Sequence, residues 1–478
     1  MLFDDVPFGP YDKAEQKAHR AFELYEDGKI SQALLELEEA LEINPYNSAL
    51  HFNKALALDA VNHFEDAIGE YEIALQLNPL DLEILNSLAV DYTRTGQYDL
   101  AIGTFEHIQE LDPTFEPCYC NRIITYTEMS QHDLAEQMFY LAQQIEPDCP
   151  LCYYNIGNNL FVRGQYKKAV QCWLKTAEFD PTHPEINYRI AQAYWADGDI
   201  NNAREYFLTE LRLNPGNLDV ILDFGLFLLE SGDIESAKEK FARILELAPD
   251  FAPALFYLGE IAFSKNDYEC AARLFNQALQ KNSTFAGPRY RLAQYELVKG
   301  HQEKAKSYLV SEVKLAPKDA DTLVSMASMF LTLDDIDLSM QCLLRAIEAD
   351  CANADAYYYL GFVNATNEQF EDAVEFFSHA IDIKPDHILA LRDSAVVYLA
   401  MGRTTDAAAR IKKALALNDN DPQLKAIDRR IRLVQKIKQI ANLFCRVIPG
   451  FGNKRGKAHK TKRRTPTRRK KINRIFKH

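Results

Sequence analysis

The strongest constraint on this chain is a comb of prolines. Pro45, Pro79, Pro113, Pro147, Pro181, Pro215 and Pro249 stand 34 residues apart, and the series resumes at Pro317 and Pro385. Ser283, Cys351 and Asp419 fill the vacant teeth. Twelve places before each tooth stands a small side chain: Ala33, Ala67, Ala101, Ala135, Ala169, Ala203, Ala237, Ala271, Ala305, Ser339, Ala373 and Ala407. Eight places before it stands a bulky one: Leu37, Tyr71, Phe105, Phe139, Trp173, Phe207, Phe241, Phe275, Leu309, Leu343, Phe377 and Ile411. Seventeen places before it, Gly28, Gly96, Gly164, Gly198, Gly232, Gly300 and Gly402 alternate with Asn62 and Asn266, residue types that tolerate a left-handed helix end.

A small residue recurring at one place implies that two backbones approach closely there, and the bulky residue four places on fills the space between them. Gly or Asn ends one helix and Pro precedes the next. Each period therefore predicts two antiparallel helices of about 13 residues. Counted from Ala14, twelve such units reach Asp421 without insertion or deletion.

The small, bulky and proline places together resemble the tetratricopeptide repeat family. The resemblance implies an all-α fold, an α-solenoid: a right-handed superhelix of twelve helix-turn-helix repeats, because one pair cannot bury its own apolar face and must stack on its neighbours. The expected organisation is an N-terminal extension over 1–13, repeats over 14–421, a basic amphipathic capping helix over 422–446 and a disordered basic tail over 447–478. Two departures stand out. The early tryptophan of the family is absent, and its usual first-helix leucine is Arg20, Lys54, Arg122 and Ser394 in four units, where looser packing is expected.

Family resemblance also implies a concave wall built from the second, fifth, sixth, ninth and twelfth places of each first helix. The fifth place carries Phe52, Tyr154, Tyr188, Phe256, Tyr290 and Tyr358. These aromatics either anchor a partner segment or pack between adjacent helices. The sixth place carries Asn53, Asn121 and Asn155, with Asn158 one turn on, similar to the asparagine ladders with which some repeat proteins hold an extended backbone. A carboxylate clamp for chaperone tails is not expected, since no lysine occupies the second place of any unit.

Arginine occupies the sixth place only at Arg189 and Arg291, each following a tyrosine and followed by Gln192 or Gln294; Trp195 lies one further turn along. In the same two units glutamate replaces the usual small residue of the second helix, at Glu210 and Glu312. The coincidence predicts an ion pair inside each unit, because a glutamate in a tight seam calls for a cation.

Chemistry is otherwise sparse. No HExxH, GxSxG or GxGxxG sequence occurs, and "GFGNKRGKA" fails the phosphate-loop pattern because no Ser or Thr follows Lys457. Only 57 residues follow Asp421, too few for the transferase domain that makes some repeat proteins of this family enzymes. No enzyme is expected. Cys118, Cys120, Cys149 and Cys152 lie close in sequence as "CYC" and "CPLC", and the choice is between a zinc site and half-buried thiols. Neighbours two apart on a helix diverge and suit a single metal poorly, so no metal or cofactor is expected.

Charge is divided unevenly. The full chain has a formal net charge of −15, with 47% hydrophobic and 26% charged residues. Residues 422–478 hold 20 Lys and Arg against the single acid Asp428, whereas residues 55–162 hold 18 acids and only Arg94 and Arg122 as bases. The acidic stretch should attract basic partners, and the tail a polyanion: RNA, DNA or an anionic surface. The tail's candidates are Lys454, Arg455, Lys462, Arg463, Arg464, Arg468, Arg469, Lys470 and Lys471. A merely solvated tail is the closest rival to the polyanion reading, and a nuclear address or a segment folding back on the acidic repeats also competes. Leu424, Ile427, Ile431, Val434 and Ala441 fall at helical spacing and predict a helix closing the stack, with a membrane-surface helix as its rival.

The acidic start "MLFDDVPFGP" is not expected to be a secretory signal, and nine cysteines suggest reduced thiols in the cytoplasm. The leading functional expectation is a non-catalytic scaffold or adaptor that binds protein or extended peptide segments, its basic tail tethering or regulating the assembly. The alternative is a nucleic-acid- or ribosome-associated protein whose repeats position the tail.

Overall fold

The computed structural model describes residues 13–447, with side chains described to residue 440. These form 25 α-helices, and no strand occurs among the described residues. They fall into two compact units that divide between Ala237 and Lys238, taken separately below.

The helices run in order α1 (Lys13–Glu26), α2 (Ile30–Ile43), α3 (Ser48–Asp59), α4 (Phe64–Leu77), α5 (Leu82–Arg94), α6 (Tyr98–Leu111), α7 (Glu116–Glu128) and α8 (His132–Ile145). Then follow α9 (Pro150–Val162), α10 (Tyr166–Phe179), α11 (Ile186–Asp197), α12 (Ile200–Leu213), α13 (Leu218–Glu230), α14 (Ile234–Leu247), α15 (Ala252–Ser264) and α16 (Tyr268–Lys281). The last are α17 (Pro288–Val298), α18 (Gln302–Val313), α19 (Ala320–Thr332), α20 (Ile336–Ala349), α21 (Ala354–Thr366), α22 (Phe370–Ile383), α23 (Ile388–Ala400), α24 (Thr404–Leu417) and α25 (Pro422–Val447).

Odd helices start, and even helices follow after a short turn, at the 34-residue interval of the comb. Within each unit a helix packs on the one before it and the one after it, the layering of an α-solenoid. The turn inside each pair is left-handed at all twelve comb places. Gly and Asn meet the expectation there, but Ser130, Asp334 and Glu368 adopt the same positive φ. Stacking of the flanking helices therefore imposes a conformation that these side chains do not favour by themselves.

Small and bulky places meet as the comb suggests. All eleven alanines of the small series and Ser339 are fully buried. The aromatic of the second helix lies over a glycine of the first at three further places. A Cβ on Gly259 would come within 2.5 Å of the Phe275 ring, and one on Gly361 within 2.6 Å of Phe377; Gly157 is likewise covered by Trp173. Of the units lacking the usual leucine, Arg122 is taken into the core, with Nη1 donating to Gln109 at 2.7 Å and Nη2 to the Tyr126 hydroxyl at 3.2 Å.

The ion pairs expected of Glu210 and Glu312 do not form. Glu312 is fully buried and its carboxylate accepts the backbone amide of Gly287, with further backbone hydrogen bonds from Arg289 and Tyr290, so it caps the start of α17. Burial outweighs these amides and raises its pKa. Glu210, also buried, accepts from Asn214 Nδ2 at 2.6 Å. In both units the first helix begins two places late, behind a residue of positive φ, Glu185 (58°) in one and Gly287 (110°) in the other. At Glu312 the backbone amide of Gly287, ahead of the Arg289 charge, supplies the positive potential, while Oε2 has no hydrogen-bond partner among the described residues.

In the second unit α25 packs on α24 and α23 through Leu424 and Ile431, both fully buried, with Ile427 beside them. Gln435 Nε2 donates to Thr404 O at 3.1 Å and Lys438 Nζ to Gly402 O at 2.6 Å. Its outer face is not purely basic: Leu433, Ile437 and Ile440 are more than half exposed among Arg429, Arg430, Arg432 and Lys436. The Ala441 side chain and all the tail candidates, Lys454 to Lys471, lie outside the described residues. No helix among the described residues is long and apolar enough to cross a membrane.

Candidate partner-binding site

The first helices are joined to one another by side-chain hydrogen bonds that the sequence comb did not reveal. Their partners lie 35 residues apart, one repeat plus one place. Asn121 Nδ2 donates to Asn86 Oδ1 at 3.0 Å, Asn155 Nδ2 to Cys120 O at 3.2 Å, Tyr188 Oη to Asp223 at 2.7 Å and Tyr358 Oη to Asp393 at 3.0 Å. Arg94 reaches Asp59 by the same step. Asn121 and Asn155 of the asparagine series are thereby spent between helices. Asn53 is buried with Oδ1 unpartnered among the described residues, and Asn158 is partly exposed.

Most of the fifth-place aromatics pack rather than project. Phe52 lies against Tyr71, Tyr154 against His183 with centroids 4.5 Å apart, and Tyr188 against Phe207. Tyr358 is 6% exposed, set against Phe377 and His387. Of the two roles open to these rings, packing is the one the geometry displays.

One stretch of wall in the first unit is different. Phe161, Arg189, Gln192, Trp195, Ala196 and Glu230, from α9, α11 and α13, line an open cleft of about 510 Å³. Gln192 Nε2 and Tyr188 Oη both donate to Asp223, at 3.0 and 2.7 Å, and Trp195 Nε1 donates to Glu230 at 2.7 Å. These bonds fix the indole and the amide as walls. Burial, with the Asp223 hydrogen bond second, raises the pKa of Tyr188 and keeps it a donor.

Arg189 has no such anchor. Its Nη1 reaches only Gln192 Oε1 at 3.4 Å, its Nε is buried with no partner among the described residues, and it forms no ion pair among them. A guanidinium in a cleft with donors unspent has the chemistry to take a carboxylate.

The second unit holds the equivalent arginine in a closed form. Both Nε and Nη2 of Arg291 donate to the carboxylate of Glu260, the first at 2.6 Å. Nη1 donates to the Tyr290 hydroxyl and to Gln294 Oε1, each at 3.1 Å, and the guanidinium lies 4.8 Å from the Tyr290 ring centroid and 5.3 Å from that of Phe263. Tyr290, Arg291 and Gln294 are thus brought together as the sequence suggested, but they satisfy one another.

The cysteine set is rearranged. Cys118 turns away and donates to Phe105 O at 3.2 Å, and burial pushes its thiol up to about 11. Glu116 takes its place: donor atoms of Glu116, Cys120, Cys149 and Cys152 all lie within 4.8 Å of one another. Residues 116 and 120 are four apart and share a helix face, whereas 118 points elsewhere. Cys152 Sγ donates to Glu116 Oε1 at 2.8 Å, and a hydrogen bond from Cys120, with the Cys152 amide adding to it, lowers the pKa of Cys149. Burial pushes Glu116 up to about 7.

Tetratricopeptide repeat models match residues 52–114, 157–198, 324–388 and 365–431. A model of the middle TPR-like domain of cilia and flagella-associated protein 70 matches residues 188–289. The chain is 28% identical over 119 residues to anaphase-promoting complex subunit 3 of Schizosaccharomyces pombe, a match covering 25% of this chain and 18% of that relative's length. Among solved structures it is similar to the APC/C hetero-tetramer Cut9-Hcn1, at 14% identity and a TM-score of 0.43, with 88% of this chain and 96% of that one covered. It is similar also to yeast Tom70, at 13% identity and a TM-score of 0.40, with 89% and 96% covered. The family models fall on the same paired helices that the 34-residue comb lays out, and the chain belongs to the tetratricopeptide repeat family.

Proposed function

We propose that the protein is a non-catalytic scaffold whose repeats, residues 14–421 in twelve units, bind an extended segment of a partner protein along the first helices. Arg189 receives a carboxylate of that segment, and Trp195 and Phe161 receive its apolar neighbour. The observation that carries this reading is the unpaired guanidinium of Arg189 in a cleft whose other polar groups are already tied. The cleft falls within the range of volumes that ligand sites take, roughly 300–1,000 Å³. The acidic run over 55–162 adds a preference for basic residues elsewhere in the segment. A displayed peptide library selected on the full chain tests it. Enrichment of an acid next to an apolar residue, lost on Arg189→Ala and kept on Arg291→Ala, is expected; selection indifferent to Arg189→Ala would refute it.

A second role rests on the tail. Twenty bases against one acid over 422–478 favour contact with a polyanion, RNA, DNA or an anionic surface, which would tether or regulate the scaffold in a cytoplasmic or nuclear setting. Filter binding to RNA and DNA across a salt series should show an affinity that falls steeply with salt and disappears on truncation after Gly450. Affinity unchanged by the truncation would exclude the tail.

A further inference from the structure

We propose that Glu116, Cys120, Cys149 and Cys152 form a tetrahedral binding site for zinc where α7 meets the start of α9. The site is separate from the Arg189 cleft, and its test does not depend on any partner. Tetrahedral zinc with sulfur at about 2.3 Å and oxygen at about 2.0–2.2 Å needs donors roughly 3.5–3.8 Å apart. All four donors here are within 4.8 Å of one another, so a small inward movement of side chains completes the shell.

The surroundings suit thiolates. Cys149 and Cys152 form a C-x-x-C step at the start of α9, with Cys149 as the N-cap and Pro150 as the first helical residue. The Cys152 amide points at Cys149 Sγ at 3.4 Å, an N–H···S contact that stabilises an anionic sulfur, and the helix N-terminus does the same. Asn155 Nδ2 lies 3.3 Å from Cys120 Sγ and supplies an outer donor of the kind that orients metal ligands. All three cysteines are buried, the carboxylate half-buried. Three soft sulfurs and one oxygen select zinc over calcium or magnesium. Four protein donors leave no open position, which makes the site structural, a staple between consecutive first helices and not a catalytic centre.

Full-length protein purified without chelator is assayed for metal content and free thiols, and chelator-stripped protein is titrated with cobalt alone. An equimolar amount of zinc and the absorption bands of tetrahedral thiolate-bound cobalt are expected. Cys149→Ser/Cys152→Ser should lose both while its far-UV helical signal persists; Cys118→Ser and Cys270→Ser should keep both. If the double variant fails to fold, the cobalt titration of the unaltered chain with the Cys118→Ser control decides. Absence of metal and of cobalt bands with all thiols reduced overturns the proposal. So does a Cys149–Cys152 disulfide in metal-free protein, and so does loss of binding in Cys118→Ser.

Discussion

Arg189 in the first unit and Arg291 in the second occupy the same place of their repeats, each after a tyrosine and three residues before a glutamine. One guanidinium is left with donors unspent and the other is held by Glu260, Tyr290 and Gln294. The reason lies one repeat earlier. Glu260 is the ninth residue of its unit, and the ninth residue of the unit preceding Arg189 is Asn158, which carries no charge. A neutral side chain thus stands where the other region has the acid of an ion pair, and on the proposed reading this leaves Arg189 open to a partner's carboxylate. What differs between the two regions is the second partner, not the arginine.

The comparison can be broken most strongly by supplying the missing acid. Asn158→Glu should quench Arg189 and weaken a selected acidic peptide roughly 10- to 100-fold, the worth of a charge-assisted hydrogen bond at about 1.5–3 kcal/mol. Thermal stability should hold or rise slightly. Isothermal titration and a melting curve check both halves.

Next in size is the buried glutamate common to both regions. Glu312→Ala strips the amides of Gly287, Arg289 and Tyr290 of their acceptor and should cost about 1–2 kcal/mol in denaturant unfolding. Glu312→Gln keeps an acceptor and should cost far less. Equal losses in the two variants would contradict the capping role.

Glu260→Asn makes the second region imitate the first. It should lower stability by roughly 1 kcal/mol, since the pair is partly exposed, and leave Arg291 able to take an added carboxylate. A second binding event for the selected peptide, detected by titration, would sharpen the comparison.

The smallest effect concerns Asp91, which shares the Arg94 guanidinium with Asp59, its own contact at 3.2 Å. Asp91 is 1% exposed, and burial, with Asp59 as a second cause, pushes it up to about 6 from 3.8. A carboxyl raised in the fold holds its proton longer than the unfolded chain does. Its stabilising contribution is full below 3.8 and is lost as pH rises through about 6. Asp91→Asn should therefore flatten the fall in unfolding free energy over that interval, by a few tenths to about 1 kcal/mol.

The fold was legible because one 34-residue period paced the helix pairs and their turns, apart from the late starts of α11 and α17. The same period foretold left-handed turns at Gly and Asn but not at Ser130, Asp334 and Glu368, where neighbours overrule the residue. Gly157, Gly259 and Gly361 under Trp173, Phe275 and Phe377 were readable from that comb, since large over small recurs at fixed spacing. The site was less legible. Its helix-to-helix bonds follow a 35-residue step, invisible to a search at 34, and they turn Tyr188, Asn121 and Asn155 inward to neighbours. Glu312 suggested a cation because a sequence displays charged side chains but not free backbone N–H groups, and Glu210 because it does not show that Asn214, one turn on, takes up the carboxylate. Glu116 escaped notice among the cysteines, although its spacing of four from Cys120 places both on one face.

The most direct measurement is a charge exchange. A peptide selected on the full chain is titrated against the unaltered protein and Arg189→Glu, with its acid kept or changed to lysine. If Arg189 receives that acid, each single change weakens binding and the pair of changes restores most of it. Binding that ignores Arg189→Glu, or that the paired exchange fails to recover, would contradict the assignment of the cleft.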